Sequence, residues 1–297
     1  MSGDVGGVGA RVSGRERLAA LWIILHPGPS LVTALAYAIF ALLAAHGRPD
    51  PVRLAVTVVG LVGQQFAISA LNDYCDREAD AHSHKYKPIA RGVLPPWAAL
   101  AAALVCALVM VVCFAPYGLA PLLIAGAFLA LGVAYDLGVK STPFGGVMLG
   151  LAFPLLPLLA WQLFATVKPA LYWTFPLGLA LGLAIHLADA LPDAAADGAA
   201  GAHGLTQALG SRALAVCWLL LLAANALVVT LAVTGLAPAR PIVLAAAIPL
   251  ALVGLLAAVL LARRADWPER RRLRANFPLT VGVALVTALG WLVASIL

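Results

Sequence analysis

The feature that most constrains this chain is a series of nine apolar runs, each about as long as a lipid bilayer is thick. A membrane-spanning helix needs roughly 20 consecutive apolar residues. The runs cover residues 28–46, 53–72, 96–115, 118–135, 144–166, 170–188, 212–234, 241–262 and 277–297. Because lipid forces each spanning segment to satisfy its own backbone hydrogen bonds, the sequence predicts an all-α, polytopic membrane protein with nine transmembrane helices.

Composition and charge support this prediction. Only 11% of the residues are charged, against about a quarter in a soluble domain. If the nine spans alternate, one side carries Arg48, Arg53, Lys168 and Arg240, and the other side carries the remaining 15 of the 19 lysines and arginines. Since basic residues favour the cytoplasmic side, the N-terminus is predicted to lie in the cytoplasm and the C-terminus outside. The basic residues flank spans instead of forming one patch with interleaved aromatics, so no nucleic-acid partner is expected.

The chain is predicted to consist of a disordered N-terminal tail, residues 1–14, and a single transmembrane domain, residues 15–297. Residues 15–27 are expected to lead into the first span as an interfacial amphipathic segment, because Pro27 and Pro29 interrupt the apolar run too early for a signal peptide. The alanine-rich composition, with arginine favoured over lysine, indicates a bacterial source and hence the cell membrane. Membrane lipids are the expected surroundings, and no protein partner is predicted.

Two acidic clusters close the second and sixth spans. The chain has 13 acidic residues, and 7 of them lie in these clusters. The first cluster, in LNDYCDREAD, contains Asp73, Asp76, Glu78 and Asp80. The second cluster, in HLADALPDAAADGAA, contains Asp189, Asp193 and Asp197. So many carboxylates in so apolar a chain favour a functional site over solvated helix caps.

Helical geometry makes the first cluster more specific. In a continuous helix, Asp73, Asp76 and Asp80 would lie on one face. Like charges at this spacing repel one another, so a divalent cation is the expected compensation. In the second cluster, Pro192 disfavours helical geometry at the preceding residue and predicts a break in the helix.

The two clusters predict a site for Mg²⁺ and a diphosphate. Mg²⁺ prefers one or two carboxylates together with water and phosphate oxygens. Basic side chains beside the first cluster would hold phosphate oxygens directly. These are Lys85, Lys87 and Arg91 in HKYKPIARG, joined by Lys140 after the fourth span. A diphosphate site at the mouth of an apolar bundle indicates a lipid diphosphate, whose tail would lie between the helices.

Together these motifs resemble the UbiA superfamily of intramembrane prenyltransferases. The resemblance rests on N-D-x-x-D-x-x-x-D at residues 72–80, KYKPIARG, D-x-x-x-D after the sixth span and GLTQALGSR, and it covers essentially the whole chain. It implies a UbiA-like helical bundle with a central cavity open to the cytoplasmic side. The chain departs from the family pattern where Lys87 replaces arginine, where Asp136 follows Tyr135 in place of serine, and where HPGPS replaces Arg-Pro.

The resemblance implies Mg²⁺-dependent transfer of a prenyl group from an allylic isoprenyl diphosphate to a small-molecule or lipid acceptor, expected to be aromatic, with release of diphosphate. The predicted catalytic residues are Asp76, Asp193, Lys140 and Tyr135. The predicted diphosphate-binding residues are Lys85, Lys87, Arg91 and Lys140. The predicted Mg²⁺ ligands are Asn72, Asp73, Asp76, Asp80, Asp189, Asp193 and Asp197. The aromatic face of Tyr135 or Phe66 would stabilise the allylic cation.

Two other functions stay open on the sequence. A terpene cyclase of the same superfamily would use the same aspartates without an acceptor. A transporter also carries acids in the membrane, although its substrate site is expected near the midplane, whereas the acids here crowd the ends of spans. His26 in HPGPS and His186 before the second cluster are further candidates for contact with substrate. The acceptor, the prenyl chain length and the catalytic base are not determined by the sequence.

Overall fold

The chain folds into α-helices joined by short turns. The computed structural model describes residues 12–81, 86–199, 203–237 and 239–295, without the side chains of residues 196 and 197. Within these ranges there is no β-strand. The α-helices are α1 (Gly14–Ile24), α2 (Pro27–Ala44), α3 (Pro51–Cys75), α4 (Arg77–Asp80), α5 (Pro96–Phe114), α6 (Leu119–Asp136), α7 (Gly145–Ala152), α8 (Leu155–Phe164), α9 (Thr174–Ala190), α10 (Ala194–Ala199), α11 (Leu205–Leu209), α12 (Ala213–Thr234), α13 (Pro241–Ala262) and α14 (Glu269–Ser295).

Nine helical stretches in the described part of the chain are long and apolar enough to cross a membrane. They are Pro27–Ala44, Pro51–Cys75, Pro96–Tyr117, Leu119–Asp136, Gly145–Phe164, Pro169–Asp193, Leu205–Thr234, Pro241–Ala262 and Glu269–Ser295. Each overlaps one of the apolar runs in the sequence, so the predicted nine-helix, multi-pass membrane fold is confirmed. Large apolar side chains such as Leu104 and Val233, which are 72% and 82% exposed, form the outer faces of the bundle.

Proline marks the beginning of several spans. A proline at the first helical position loses nothing by lacking an N–H group, and its fixed φ suits the helix. The residues in this position include Pro27, Pro51, Pro96 and Pro241. At the start of α3, the Asp50 carboxylate also accepts a hydrogen bond of 2.6 Å from the backbone N–H of Arg53, which satisfies one of the unpaired donors of the first turn.

The fifth span is broken where the sequence predicted one uninterrupted run. Helix α7 ends at Ala152 and α8 begins at Leu155, with Pro154 between them. Proline lacks the N–H that would continue the helical ladder, and its ring clashes with the carbonyl group one turn earlier. The span therefore crosses the membrane as two short helices.

Small residues allow α7 and α9 to cross with their backbones nearly in contact. A Cβ added at Gly150 would lie 2.7 Å from the Cα of Leu179, and one added at Gly182 would meet the backbone of Gly150. Close approach through small residues is a main source of helix association in membranes. This crossing fixes the end of α9 beside the start of α7.

A buried amide joins α3 to α6 inside the bundle. The fully buried Gln64 side chain donates a hydrogen bond to the backbone carbonyl of Ala125 on α6. Polar side chains that bond across helices stabilise packing where no water competes. The contact places the ends of α3 and α6 side by side, and those ends carry the first acidic cluster and the Lys140 turn.

The N-terminal prediction is only partly covered by the structure. Residues 1–11 of the expected tail lie outside the described residues, and α1 begins at Gly14. Ser13 and Glu16 form a reciprocal capping box, in which the Glu16 carboxylate accepts from the Ser13 N–H at 2.7 Å and the Ser13 hydroxyl accepts from the Glu16 N–H at 3.2 Å. This box defines the beginning of the lead-in helix.

Candidate functional site

A compact turn brings Lys87 back over the end of α3. The backbone N–H of Arg91 donates to the carbonyl of Lys87 at 3.0 Å, and that of Val93 donates to the carbonyl of Pro88 at 2.9 Å. Gly92 has a φ of 71°, a conformation that glycine adopts without steric cost. A small apolar cluster anchors the turn to α1, α3 and α5. Its buried members are Ala20, Ile24, Ala70, Ile89, Leu94 and Ala99.

Lys87 bridges two of the predicted metal ligands. Its Nζ lies 2.7 Å from Oδ1 of Asp73 and 3.2 Å from Oδ2 of Asp80. Burial of the ammonium group acts to lower its pKa, but hydrogen bonds and charge from Asp73 and Asp80 outweigh burial and leave the pKa of Lys87 raised. Lys87 is therefore a permanent cation at neutral pH, as the prediction of a diphosphate-binding residue requires.

His26 is a second partner of Asp73. Its Nε2 donates to Oδ1 of Asp73 at 2.9 Å, which requires the tautomer with a proton on Nε2. His26 has a φ of 45°, in the left-handed region that non-glycine residues rarely occupy and that often marks a functional site. The structure therefore brings the HPGPS motif, which opens the first span, to the first acidic cluster.

Asp76 lies between α3 and α4 and faces a different lysine. Both of its carboxylate oxygens accept from Nζ of Lys140 at 2.6 Å. Although α3 ends at Cys75 and α4 begins at Arg77, the backbone N–H groups of Asp76 and Asp80 still donate to the carbonyls four residues earlier, at 2.9 and 2.8 Å. Of the three aspartates expected on one face, Asp73 and Asp80 share a lysine and Asp76 has another. Two lysines, each bound to part of the cluster, offset the repulsion in this structure.

Asp136 lies beside the first cluster, although it is not among the site residues predicted from the sequence. Its Oδ1 accepts from Nδ2 of Asn72 at 2.8 Å and lies 4.0 Å from Nζ of Lys140. Its side chain is 2% exposed, and its Oδ2 has no hydrogen-bond partner. Its position in the sequence could have identified Asp136, because an acid that ends the fourth span falls on the same side of the membrane as the two clusters.

At the break predicted for the second cluster the α-helix changes to a 3₁₀ turn, although Leu191 before Pro192 keeps helical φ and ψ of −56° and −43°. Helix α9 ends at Ala190, a single 3₁₀ turn follows, and α10 begins at Ala194. Asp193 in that turn is half-exposed and forms an ion pair with Arg270 at the start of α14. Asp189 is exposed at the end of α9.

Of four further predicted residues, the structure describes two. The side chain of Asp197, like the whole of Lys85, lies outside the described residues. Arg91 is exposed. The Phe66 ring packs edge-on against Trp22 of α1, with 6.1 Å between ring centroids, so Phe66 has a packing contact that accounts for its position.

His186 and the segment that carries Lys140 bring the two clusters together. Tyr135 is partly buried at the end of α6, next to Asp136. A Cβ added at Gly145 would lie 3.3 Å from Cε1 of His186 and 3.1 Å from the carbonyl oxygen of Lys140. The end of α9 therefore adjoins the segment that carries Lys140, and both clusters lie at one end of the bundle.

The chemistry of these donors suits a hard divalent cation. Among the described residues, no group of three or more histidines, cysteines and acids lies close enough to complete a metal site alone. Mg²⁺ does not require such a group, because it uses one or two carboxylates and takes its other ligands from water and phosphate. Oδ2 of Asp73 is buried without a hydrogen-bond partner. This carboxylate oxygen is therefore available to a cation.

Comparisons with known proteins agree with the sequence resemblance. The model of the UbiA prenyltransferase family matches residues 30–279. A 4-hydroxybenzoate octaprenyltransferase from Methylococcus capsulatus is 34% identical over 145 residues, which cover 41% of this chain and 47% of that protein. The chain therefore aligns with about half the length of this curated relative.

Two solved structures share the fold. A digeranylgeranylglyceryl phosphate synthase has a TM-score of 0.76 at 15% identity and covers 94% of this chain and 98% of its own. A UbiA homologue from Archaeoglobus fulgidus, bound to GPP and Mg²⁺, has a TM-score of 0.66 at 17% identity and covers 91% of this chain and 99% of its own. At these identities the likeness establishes the arrangement of helices.

Proposed function

The chain belongs to the UbiA prenyltransferase family, and from that membership we propose that it is a Mg²⁺-dependent prenyltransferase of the bacterial cell membrane. It transfers a prenyl group from an allylic isoprenyl diphosphate to an aromatic acceptor, and it releases diphosphate and the proton that the acceptor loses. The M. capsulatus relative, named as a 4-hydroxybenzoate octaprenyltransferase, supports an aromatic acceptor. The A. fulgidus homologue bound to GPP and Mg²⁺ supports the donor and the metal.

One observation carries the proposal: carboxylates and lysines alternate at a single end of an apolar bundle. Lys87 pairs with Asp73 at 2.7 Å, and Lys140 pairs with Asp76 at 2.6 Å. A site that binds a metal diphosphate needs both signs of charge, carboxylates for the cation and lysines for the anion. A transporter site would be expected closer to the bilayer midplane.

The proposed division of labour follows from these charges. Mg²⁺ held by Asn72 and by aspartates of both clusters would stabilise the negative charge that develops on the departing diphosphate. Lys87, Lys140 and Arg91 donate hydrogen bonds to the diphosphate oxygens and share that charge. Lys87 and Lys140 leave their aspartate partners to do so. The aspartates that they release are the ones assigned to the cation.

The remaining residues control the allylic cation. The ring of Tyr135 stabilises it through its electron-rich face. The surrounding apolar helices exclude water, which would otherwise capture the cation before the acceptor does. Asp193 of the second cluster would bind the metal ion once its ion pair with Arg270 has opened.

The test is a product assay on the full chain in lipid nanodiscs. A panel of prenyl diphosphates is combined with aromatic acceptors, and products are identified by mass spectrometry while diphosphate release is measured. We expect a prenylated product only when Mg²⁺ and both substrates are present. The Asp76→Asn variant should release diphosphate about 100-fold more slowly, because it weakens the electrostatic stabilisation of the leaving group.

The matched control is Asp266→Asn. Asp266 is exposed between α13 and α14 and pairs with Arg264, so its variant should match the wild-type rate. Undiminished diphosphate release by Asp76→Asn would contradict the proposed site. A cyclic hydrocarbon formed from geranylgeranyl diphosphate and Mg²⁺ alone would instead identify a terpene cyclase, and unchanged substrate crossing a vesicle membrane would identify a transporter.

A further inference from the structure

Asp136 is a buried acid that the proposed reaction does not use. It ends α6, and its Oδ1 accepts a 2.8 Å hydrogen bond from the side-chain amide of Asn72 on α3. Only 2% of its side chain is exposed, and Oδ2 has no hydrogen-bond partner. A buried carboxylate in a membrane protein is costly, and such groups are usually retained for function.

The pairing with Asn72 has a definite polarity. An ionised carboxylate can only accept hydrogen bonds, whereas a side-chain amide has one donating and one accepting end. The NH₂ group of Asn72 must therefore face Asp136, since the reverse orientation would place two buried acceptor oxygens against each other. The amide oxygen, which is the only side-chain atom of asparagine suited to a hard cation, is directed away from Asp136.

We propose that Asp136 is a positioning residue, which orients the amide of Asn72 so that its oxygen is available to a divalent cation at the first acidic cluster. The inference deepens the proposed function and rests on it for the identity of the site. Outer carboxylates that orient metal ligands are typically worth 10- to 100-fold in metal affinity. Nζ of Lys140 also lies 4.0 Å from Oδ1 of Asp136, so the charge of Asp136 attracts Lys140 to the first acidic cluster.

A purely structural role for Asp136 is less consistent with the packing. Helices α3 and α6 are already joined in the interior, where Gln64 bonds to the carbonyl of Ala125. Ile68 of α3 also packs against Gly132 of α6, where an added Cβ would lie 2.8 Å from its Cγ1. The contact between the two helices therefore does not depend on the hydrogen bond between Asn72 and Asp136.

The experiment measures Mn²⁺ binding by electron paramagnetic resonance, using the full chain in nanodiscs without prenyl diphosphate. Asp136→Asn should weaken Mn²⁺ binding by about 10- to 100-fold, because an asparagine can meet either end of the Asn72 amide and no longer selects one orientation. Asn72→Ala should weaken binding similarly. The double variant should be no weaker than Asn72→Ala, because Asp136 acts through Asn72.

Asp266→Asn removes the same charge from an exposed loop and should bind Mn²⁺ as the wild type does. Undiminished binding by Asp136→Asn would overturn the inference, and so would additive losses in the double variant. If Asp136→Asn does not purify as a folded protein, Asp136→Ser carries the same comparison, because a hydroxyl also both donates and accepts.

The proposed function and this inference can fail separately. Wild-type protein that binds Mn²⁺ but makes no prenylated product would contradict the proposed function and leave this inference standing. Product formation by the wild type together with undiminished Mn²⁺ binding by Asp136→Asn would support the proposed function and overturn this inference.

Discussion

Lys87 is held between two acids at the end of α3, and its raised pKa is a consequence of that position. Its side chain is 18% exposed, while its partner Asp73 is 2% exposed. Burial disfavours the ammonium ion, but hydrogen bonds and charge from Asp73 and Asp80 more than compensate and raise the pKa. The ionised pair therefore favours the folded state.

Replacing Lys87 by methionine should lower the unfolding temperature in the presence of EDTA. Removing one partner of a largely buried ion pair leaves the other charge uncompensated and costs roughly 3 kcal/mol. Since the folded-state pKa is raised, the stabilisation is complete below the ordinary lysine pKa and is lost only as pH rises through the raised value. The difference in unfolding temperature should thus be constant between about pH 7 and about pH 9.

Two controls belong with this measurement, which is thermal unfolding of the purified protein by fluorescence. Lys87→Arg keeps the charge and should unfold close to the wild-type temperature. Arg91→Met removes a charge from an exposed position on the same turn and should change the unfolding temperature little. A difference for Lys87→Met that already shrinks between about pH 7 and about pH 9 would contradict the raised pKa.

The close crossing of α7 and α9 leaves no room for added side-chain volume. Gly182→Ala places a methyl group where the backbone nitrogen of Gly150 would lie only 2.6 Å away, and overpacking of this kind costs about 1–3 kcal/mol. Gly126→Ala is the matched control, because its added Cβ meets nothing within 4 Å. Alanine is the better helix former by up to about 1 kcal/mol.

The two glycine variants should therefore move the unfolding temperature in opposite directions, down for Gly182→Ala and up or unchanged for Gly126→Ala. Thermal unfolding in the same nanodiscs measures both. Equal effects at the two positions would mean that the close backbone contact between α7 and α9 does not limit the packing of the bundle.

The membrane-spanning helices were largely predictable from the sequence, because each one is identified by its own run of about 20 apolar residues. The pairing of side chains was not. Asp76 and Lys140 lie 64 positions apart, and they meet only because α3 packs on α6, which no local pattern encodes. Asp136 was missed for the same reason, since its partner Asn72 is also on α3.

Acids from α3 and α6 and from the end of α9 lie at one end of the bundle. The described spans alternate, and the ends of the second, fourth and sixth all fall on the side that carries most of the basic residues. The positive-inside rule predicts that this side is the cytoplasm. The site would then open toward the compartment that supplies Mg²⁺ and soluble acceptors.

Membrane orientation is the last prediction, and it can be measured without knowing the substrate. The nine spans of the described residues put the two ends of that region on opposite sides of the membrane. Alkaline phosphatase fused after Leu297 should therefore be active in a bacterial host, while green fluorescent protein at the same place should be dark. Fusions at Asp266, between the last two spans, should give the opposite pair of results. Phosphatase activity at Asp266 with fluorescence at Leu297 would reverse the orientation and turn both acidic clusters outward, where an intracellular prenyl diphosphate could not reach them.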